Sequence, residues 1–354
     1  MQLKSFLLGS SVVLAMAAPA AAADLSVAEP VDYVRVCDAF GTGYWYIPGT
    51  ETCLKIGGYV RFDVRAREAA IVASSHSSNW DFRTRARLNI WATSQTDLGT
   101  LTGFVRLQGN YDNTQSSDAV VSLDRAWLSL GHLMAGHDSS TFDYNGGYTL
   151  DTGGYRSDSA VDQIRITKKF DTVGLQLGIE DGRDRNAIPD HVRWPDVVAA
   201  LTFAEGPFDA KISGAFVDQW TTDYGYAVAF GASMKLDHIA KGDAIRFLAG
   251  YAQDAGSYTG ALATLGSAYG GGTSWNVLAS AQHFWASNFS TAITGSYVHG
   301  DNGTPNYAWQ AAISAAYVPV KNLTIGGEFN YVYNTTKSDP DTWTALFRIV
   351  RDIQ

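Results

Sequence analysis

Proline is scarce in this chain, with nine residues in 354. Charged residues make up 17%, below the ~25% usual for soluble domains. There are two cysteines, Cys37 and Cys53, too few for a four-ligand zinc site. The seven histidines include no H-E-x-x-H, and neither a nucleophile elbow nor a phosphate-binding loop occurs. No catalytic, metal or cofactor site is therefore expected. Basic residues number 26 against 35 acidic, so nucleic acid is not an expected partner. After the N-terminus no apolar run approaches the ~18 residues of a spanning helix. What the chain does have is glycine (35), tyrosine (18) and tryptophan (10), a composition that favours strands and turns.

The first residues carry one early cation, Lys4, then an apolar run from Phe6 to Ala18, then small residues. This pattern predicts a secretory signal peptide over residues 1–23, cut after Ala22 or Ala23. Its apolar part, broken by Gly9, Ser10 and Ser11, is short for an anchor. Export would place Cys37 and Cys53 in an oxidising compartment, where they can pair; two free thiols are the alternative. Closing a loop of that size stabilises by roughly 3 kcal/mol in the chain-entropy view. Residues 24–52 are expected to form an N-terminal segment around this loop.

From residue 53 to 354 the dominant signal is alternation with period two. Tyr59, Arg61, Asp63, Arg65 and Arg67 fall on one face, with Val60, Phe62, Val64 and Ala66 on the other. In NWDFRTRARLNIWATS, Arg83, Arg85, Arg87, Asn89 and Trp91 oppose Phe82, Ala86, Leu88 and Ile90. Short turns are expected at Thr96–Gly99, Gly131–Leu133, Asp171–Thr172, Glu205–Pro207, Asp237–Asp243, Ala286–Asn288 and Pro319–Asn322. They alternate with long polar loops centred on Ser74–Asn79, Asn113–Asp118, Ser139–Asp162, Gly182–Pro195, Asp218–Tyr224, Asp254–Thr273, His299–Asn306 and Thr335–Asp341. Sixteen strands follow. Short turns at one end and long loops at the other are the signature of an all-β transmembrane antiparallel barrel, with its turns periplasmic and its loops external. Aromatics near strand ends (Trp91, Tyr111, Tyr251, Trp275, Trp285, Tyr317, Tyr331 and Tyr333) fit interfacial girdles.

The segment VRVCDAFGTGYWYIPGTETCLKIGGYVRFDV (Val34–Val64) resembles the start of the alphaproteobacterial porin family, of the Brucella and rhizobial type. The lead-in ADLSVAEPVDYVRVCDAFG, the block IPGTETCLKIGGYVR and the block DRAWLSLGHLMAGHDSSTFDY (Asp124–Tyr144) carry the likeness. It implies a homotrimer in the bacterial outer membrane, in contact with lipid and lipopolysaccharide. It implies passive diffusion of small hydrophilic solutes and ions, and a third loop folded into the lumen. Members usually finish on an aromatic residue, whereas this chain reads Arg351-Asp352-Ile353-Gln354.

Two charged sets are the candidate pore constriction. Arg61, Arg65, Arg83, Arg85, Arg87 and Arg106 share one face of three consecutive strands and would form a basic wall, since strands lie ≈ 4.7–4.9 Å apart. The bland alternative is that they only pair with Asp63, Asp81 and other acids. Asp143, Asp151, Asp158 and Asp162, with Asp138 just before them, would bring acids to face that wall if the loop enters the lumen. Otherwise they belong to a solvated external loop. Glu180–Asp184 is acidic but lacks EF-hand spacing. A barrel enzyme would need a convergent Ser/His/Asp set, for which no spacing appears, and a secreted lectin would not need this turn asymmetry. A channel preferring a sugar or other small solute on the same barrel is the closest alternative.

Overall fold

The computed structural model describes residues 35–73, 76–112, 120–185, 193–218 and 224–353. The expected signal peptide lies outside them. The strands are β1 (Trp45–Tyr46), β2 (Cys53–Ala73), β3 (His76–Thr96), β4 (Gly99–Asp112), β5 (Val120–Leu130), β6 (Leu133–Ser139), β7 (Ala160–Phe170), β8 (Val173–Glu180), β9 (Asp196–Glu205), β10 (Phe208–Asp218), β11 (Tyr224–Lys235), β12 (Ala244–Gln253), β13 (Thr273–Ala286), β14 (Phe289–Asp301), β15 (Pro305–Val320), β16 (Leu323–Asn334) and β17 (Asp341–Ile353). Strands β2 to β17 each pair antiparallel with the next, and β17 closes onto β2 with Arg348 opposite Asp63. Closure leaves no unpaired edge among these sixteen strands, which is what backbone amides in hydrocarbon require.

The alternation sorts the wall into two faces. Outward are exposed Phe62, Phe82, Leu88, Ile164, Ile166, Phe247, Ile293 and Ile313. Inward, buried or half-buried, are Asp63, Asp81, Ser280, Thr294, Glu328 and Arg348. This inverts a soluble core, and it resolves the cationic stripe of β3: its grease faces lipid and its arginines face the lumen. The outer face of β13 to β16 carries a run of stacked rings, Trp275–Tyr297, Tyr297–Tyr307 and Tyr307–Tyr333, with centroids 4.9, 5.7 and 5.8 Å apart. Trp91 does not join a girdle; it faces inward with Arg87 and lies 5.0 Å from the Phe104 ring.

All seven short turns fall where expected. Two of the long loops are shorter, because strand pairing continues into them. Strands β2 and β3 run on to Ala73 and from His76, and β14 and β15 continue to Asp301 and from Pro305. Wall height is uneven: β2 and β3 have 21 residues each, β6 only 7. At the turn end, Cys37 and Cys53 form a disulfide with Cα atoms 6.1 Å apart. It ties residues 37–53 to the first barrel strand, and β1 pairs with the start of β2.

Candidate functional site

Cross-strand register builds the basic wall. Arg61 lies opposite Arg85, Asp63 opposite Arg83, and Arg65 opposite Asp81. Directly opposed like charges destabilise a sheet unless other groups compensate. Here the compensation is local. Asp63, fully buried, accepts from Arg83 Nη2 at 2.7 Å and from Arg348 Nε at 2.7 Å, and it lies 3.2 Å from Arg61 Nε. Arg65 bridges Asp81 and, at 2.7 Å, Asp112. Arg85 donates to Asn110 Oδ1, and Arg87 Nε donates to Gln108 Oε1 at 3.0 Å. Arg106 donates to Asn89 Oδ1 at 2.9 Å. A β-bulge between Arg106 and Leu107 gives β5 one extra residue, Asp124. It lies 3.4 to 3.9 Å from Arg87, Arg106 and Arg125. Bulges re-aim side chains in this way. All six expected arginines thus share one patch, and Arg85 and Arg87 are held mainly by amide oxygens.

The five expected acids separate. Asp138 is on β6, not in the loop, and lies 3.7 Å from Arg125 and 3.6 Å from Arg165. Asp143 is structural: its carboxylate accepts from Ser157 Oγ and from the Ser159 amide at 2.8 Å. Burial pushes the Asp143 carboxyl above its ordinary range, and Arg185 and those hydrogen bonds pull it back only in part. Asp158 pairs with Arg156 at 2.7 Å. Asp162 belongs to β7, on the outward face with Ile164 and Ile166, and contacts His137 at 2.8 Å. His137, Asp162 and Asp184 converge there, on the outer wall. Of the five, only Asp151 reaches a wall arginine expected from sequence, lying 3.8 Å from Arg83; it also accepts from Arg348 Nη2 at 2.5 Å.

The loop of residues 140–159 is tied to inward side chains of distant strands. From its start to its tip, Lys211 Nζ donates to Asp143 O (2.8 Å), Arg246 to Gly146 O, and Tyr148 N to Ser280 Oγ (2.9 Å). Thr149 and Thr294 share a hydroxyl contact at 2.9 Å. At the tip Glu328 accepts from Asp151 N (2.7 Å) and Thr152 N (3.0 Å), while Arg348 donates to Leu150 O at 2.5 Å. On the return, Tyr155 N donates to Ser296 Oγ at 3.0 Å. The approach is close enough that a Cβ added at Gly147 would fall 2.2 Å from Thr294 Oγ1. At the loop's root, buried Glu180 accepts from Ser140 Oγ and Thr141 N. It also pairs with buried Arg185 at 3.2 Å. Arg185 in turn stacks 3.9 Å over Tyr258, from the loop between β12 and β13.

Sequence reading missed Arg348, Glu328, Arg246 and Asp124. The first two stand at inward positions of alternating strands, a signal that marks the face but not the partner.

Residues 24–347 match the porin subfamily. The chain belongs to the porin family. This porin is 41% identical over 202 residues to a putative outer membrane protein, y4fJ, of Sinorhizobium fredii, covering 50% of the chain and 59% of that protein. It is 38% identical over 232 residues to porin Omp2b of Brucella canis, covering 58% and 63%. The aligned part thus spans about three fifths of those relatives' length. Its fold is similar to that of the outer membrane channel DcaP of Acinetobacter baumannii: TM-score 0.71 at 17% identity, over 87% of this chain and 99% of that one. The Vibrio cholerae outer membrane protein OmpT, solved in a trimer form, gives 0.57 at 11%, over 86% and 100%. The porin is accordingly an outer-membrane barrel.

Proposed function

We propose that the barrel is a water-filled channel for passive diffusion of small hydrophilic solutes and ions, and that it performs no catalysis. One observation carries this reading. The third loop is hydrogen-bonded to the inward faces of β10 to β17, so that it narrows the lumen from one side. The arginine ladder of β2 to β4 is left as the opposite, bare wall. A passing ion then meets Arg85, Arg87 and Arg106, with Asp151 at the loop tip, in a confined aqueous space. Residues 1–23 would direct export, the disulfide loop of residues 37–53 would sit at the periplasmic mouth, and the strands from Cys53 onward would form the barrel. A homotrimer embedded in lipid and lipopolysaccharide is the assembly we infer, in keeping with the trimer form of a structural relative.

Purified protein in a planar bilayer is expected to give stepwise conductance and a reversal potential under a salt gradient. Folded protein that gives no steps would overturn the reading. A second outcome concerns the loop. Glu328→Ala removes the acceptor for two backbone amides and the Thr152 hydroxyl. Hydrogen bonds to a charged group contribute about 1.5–3 kcal/mol each. Single-channel current is therefore expected to become larger and noisier, and an unchanged open state would remove the loop from the constriction.

A further inference from the structure

The disulfide-tied segment at the turn end contributes to a cavity that shares only Arg87 with the diffusion mechanism. It measures about 570 Å³ and is bounded by Lys55, Gly57, Gly58 and Tyr59 of β2, by Arg87, Asn89 and Trp91 of β3, and by Lys321, Asp352 and Ile353 from the far side of the β17–β2 seam. Thr42 and Gly43 of the disulfide loop close it. That volume is in the usual range of small-molecule sites, ≈ 300–1,000 Å³.

Its chemistry is uneven. Three cations, Lys55, Arg87 and Lys321, meet one carboxylate, Asp352. Among the described residues no carboxylate lies within 4 Å of Lys55 or Lys321, and the nearest to Arg87 is Asp124 at 3.9 Å. Lys55 Nζ is aimed by the roof itself: it donates to Thr42 O at 3.2 Å and lies 5.5 Å from the Tyr44 ring and 5.7 Å from the Trp91 ring. Arg87 lies 5.0 Å over Tyr59. Lys55 stands opposite Trp91, and Tyr59 opposite Arg87. The two cations therefore root about 13 Å apart along the wall, four residues at ~3.3 Å each. Between them β2 contributes no side chain at Gly57 and Gly58, and β3 contributes the Asn89 amide, whose Oδ1 accepts from Arg106. A Cβ at Gly57 would touch the Trp91 ring at 3.4 Å, and one at Gly58 would fall 1.9 Å from Arg87 O. The result is a slot with bare β2 backbone and the Asn89 amide beneath, an indole on one side and cationic heads at its ends.

We propose that this slot binds small organic anions, a carboxylate or phosphate monoester on a flat ring, at the periplasmic mouth. The anionic group meets Lys55 or Arg87 in the charge-assisted hydrogen bonds such pairs form. The ring rests on Trp91. The inference depends on the channel reading above, and the disulfide loop becomes the roof of a selective vestibule.

The test uses the purified protein in planar bilayers, with phenyl phosphate as probe and phenyl glucoside as its neutral analogue. Phenyl phosphate is expected to block open-channel current from one face at concentrations at least tenfold lower than from the other. Lys55→Gln should raise the half-blocking concentration tenfold or more while the open-channel current in potassium chloride persists; Lys55→Arg should restore block. Reducing the disulfide should weaken block without abolishing the current. Equal block by phenyl glucoside, equal block from both faces, or a Lys55→Gln channel that is blocked as before would each overturn the site. A protein that never conducts would instead sink the channel reading.

Discussion

Replacing Arg85 and Arg87 together by glutamate is expected to turn the reversal potential toward cation preference. The two side chains are inward neighbours on β3 and are hydrogen-bonded by Asn110 and Gln108, the one carboxylate beside them being Asp124, 3.9 Å from Arg87. Their charge therefore acts on the lumen. An ion ~5 Å from a unit charge in water feels about 0.8 kcal/mol, and each substitution changes the wall by two charges, so each is worth about 1.7 kcal/mol before screening. For one substitution and one ion that already exceeds tenfold, and cation and anion shift in opposite senses, so the double variant should change the ratio of cation to anion permeability by at least tenfold at low salt, with the change shrinking at ~1 M salt where the screening length falls to ~3 Å. Substituting Arg351, which faces outward at the turn end, is the matched control. A reversal potential that moves equally for both would mean that selectivity follows net charge and not this wall.

Asp63→Ala is expected to cost the most stability. Its carboxylate is fully buried and gathers Arg61, Arg83 and Arg348. Removing one member of such a set leaves uncompensated charge at a typical cost of about 3–5 kcal/mol. The lower end applies, because lumen water can reach arginines that keep a little exposure. The cost falls on the barrel's closing seam, since Asp63 and Arg348 are opposite one another on β2 and β17. A drop in the temperature at which the folded band converts to the unfolded band on a detergent gel would report it. Arg348 also holds Leu150 and Asp151, so channel noise should rise as well. Asp63→Asn, which keeps an acceptor, should lie between. A conversion temperature unchanged in Asp63→Ala would show that the seam does not rely on this carboxylate.

Much of the fold was legible because a strand between lipid and water must alternate, and because turns advertise themselves in glycine, aspartate and asparagine. The positions of all seven short turns, and the inward face of every expected arginine, follow from that periodicity. Closure does not. Asp63 and Arg348 are 285 residues apart, and nothing local in either strand names the other. The loop acids other than Asp151 stand apart from the basic wall for a related reason. The loop's course is set by Ser280, Thr294, Ser296 and Glu328, which lie over a hundred positions away. Its end was also read three residues too far: pairing of β6 with β7 starts at Ser139 and Ala160, which turns Asp162 outward. Asp124 was hidden by a bulge, which breaks the period on which the reading depends.

The seven-residue β6 has a consequence for the surrounding bilayer. At ~3.3 Å per residue and a tilt near 45° it rises only about 16 Å, well short of the ~25 Å apolar band usual for such barrels. Its outward apolar positions end early, since His137 and Asp162 already form a polar pair there. Lipid facing this sector must thin, or another protein surface must replace it, at a cost of a fraction of a kcal/mol for each ångström of mismatch. The wall is therefore lowest at β6, and a protein surface set against that sector would spare the most mismatch.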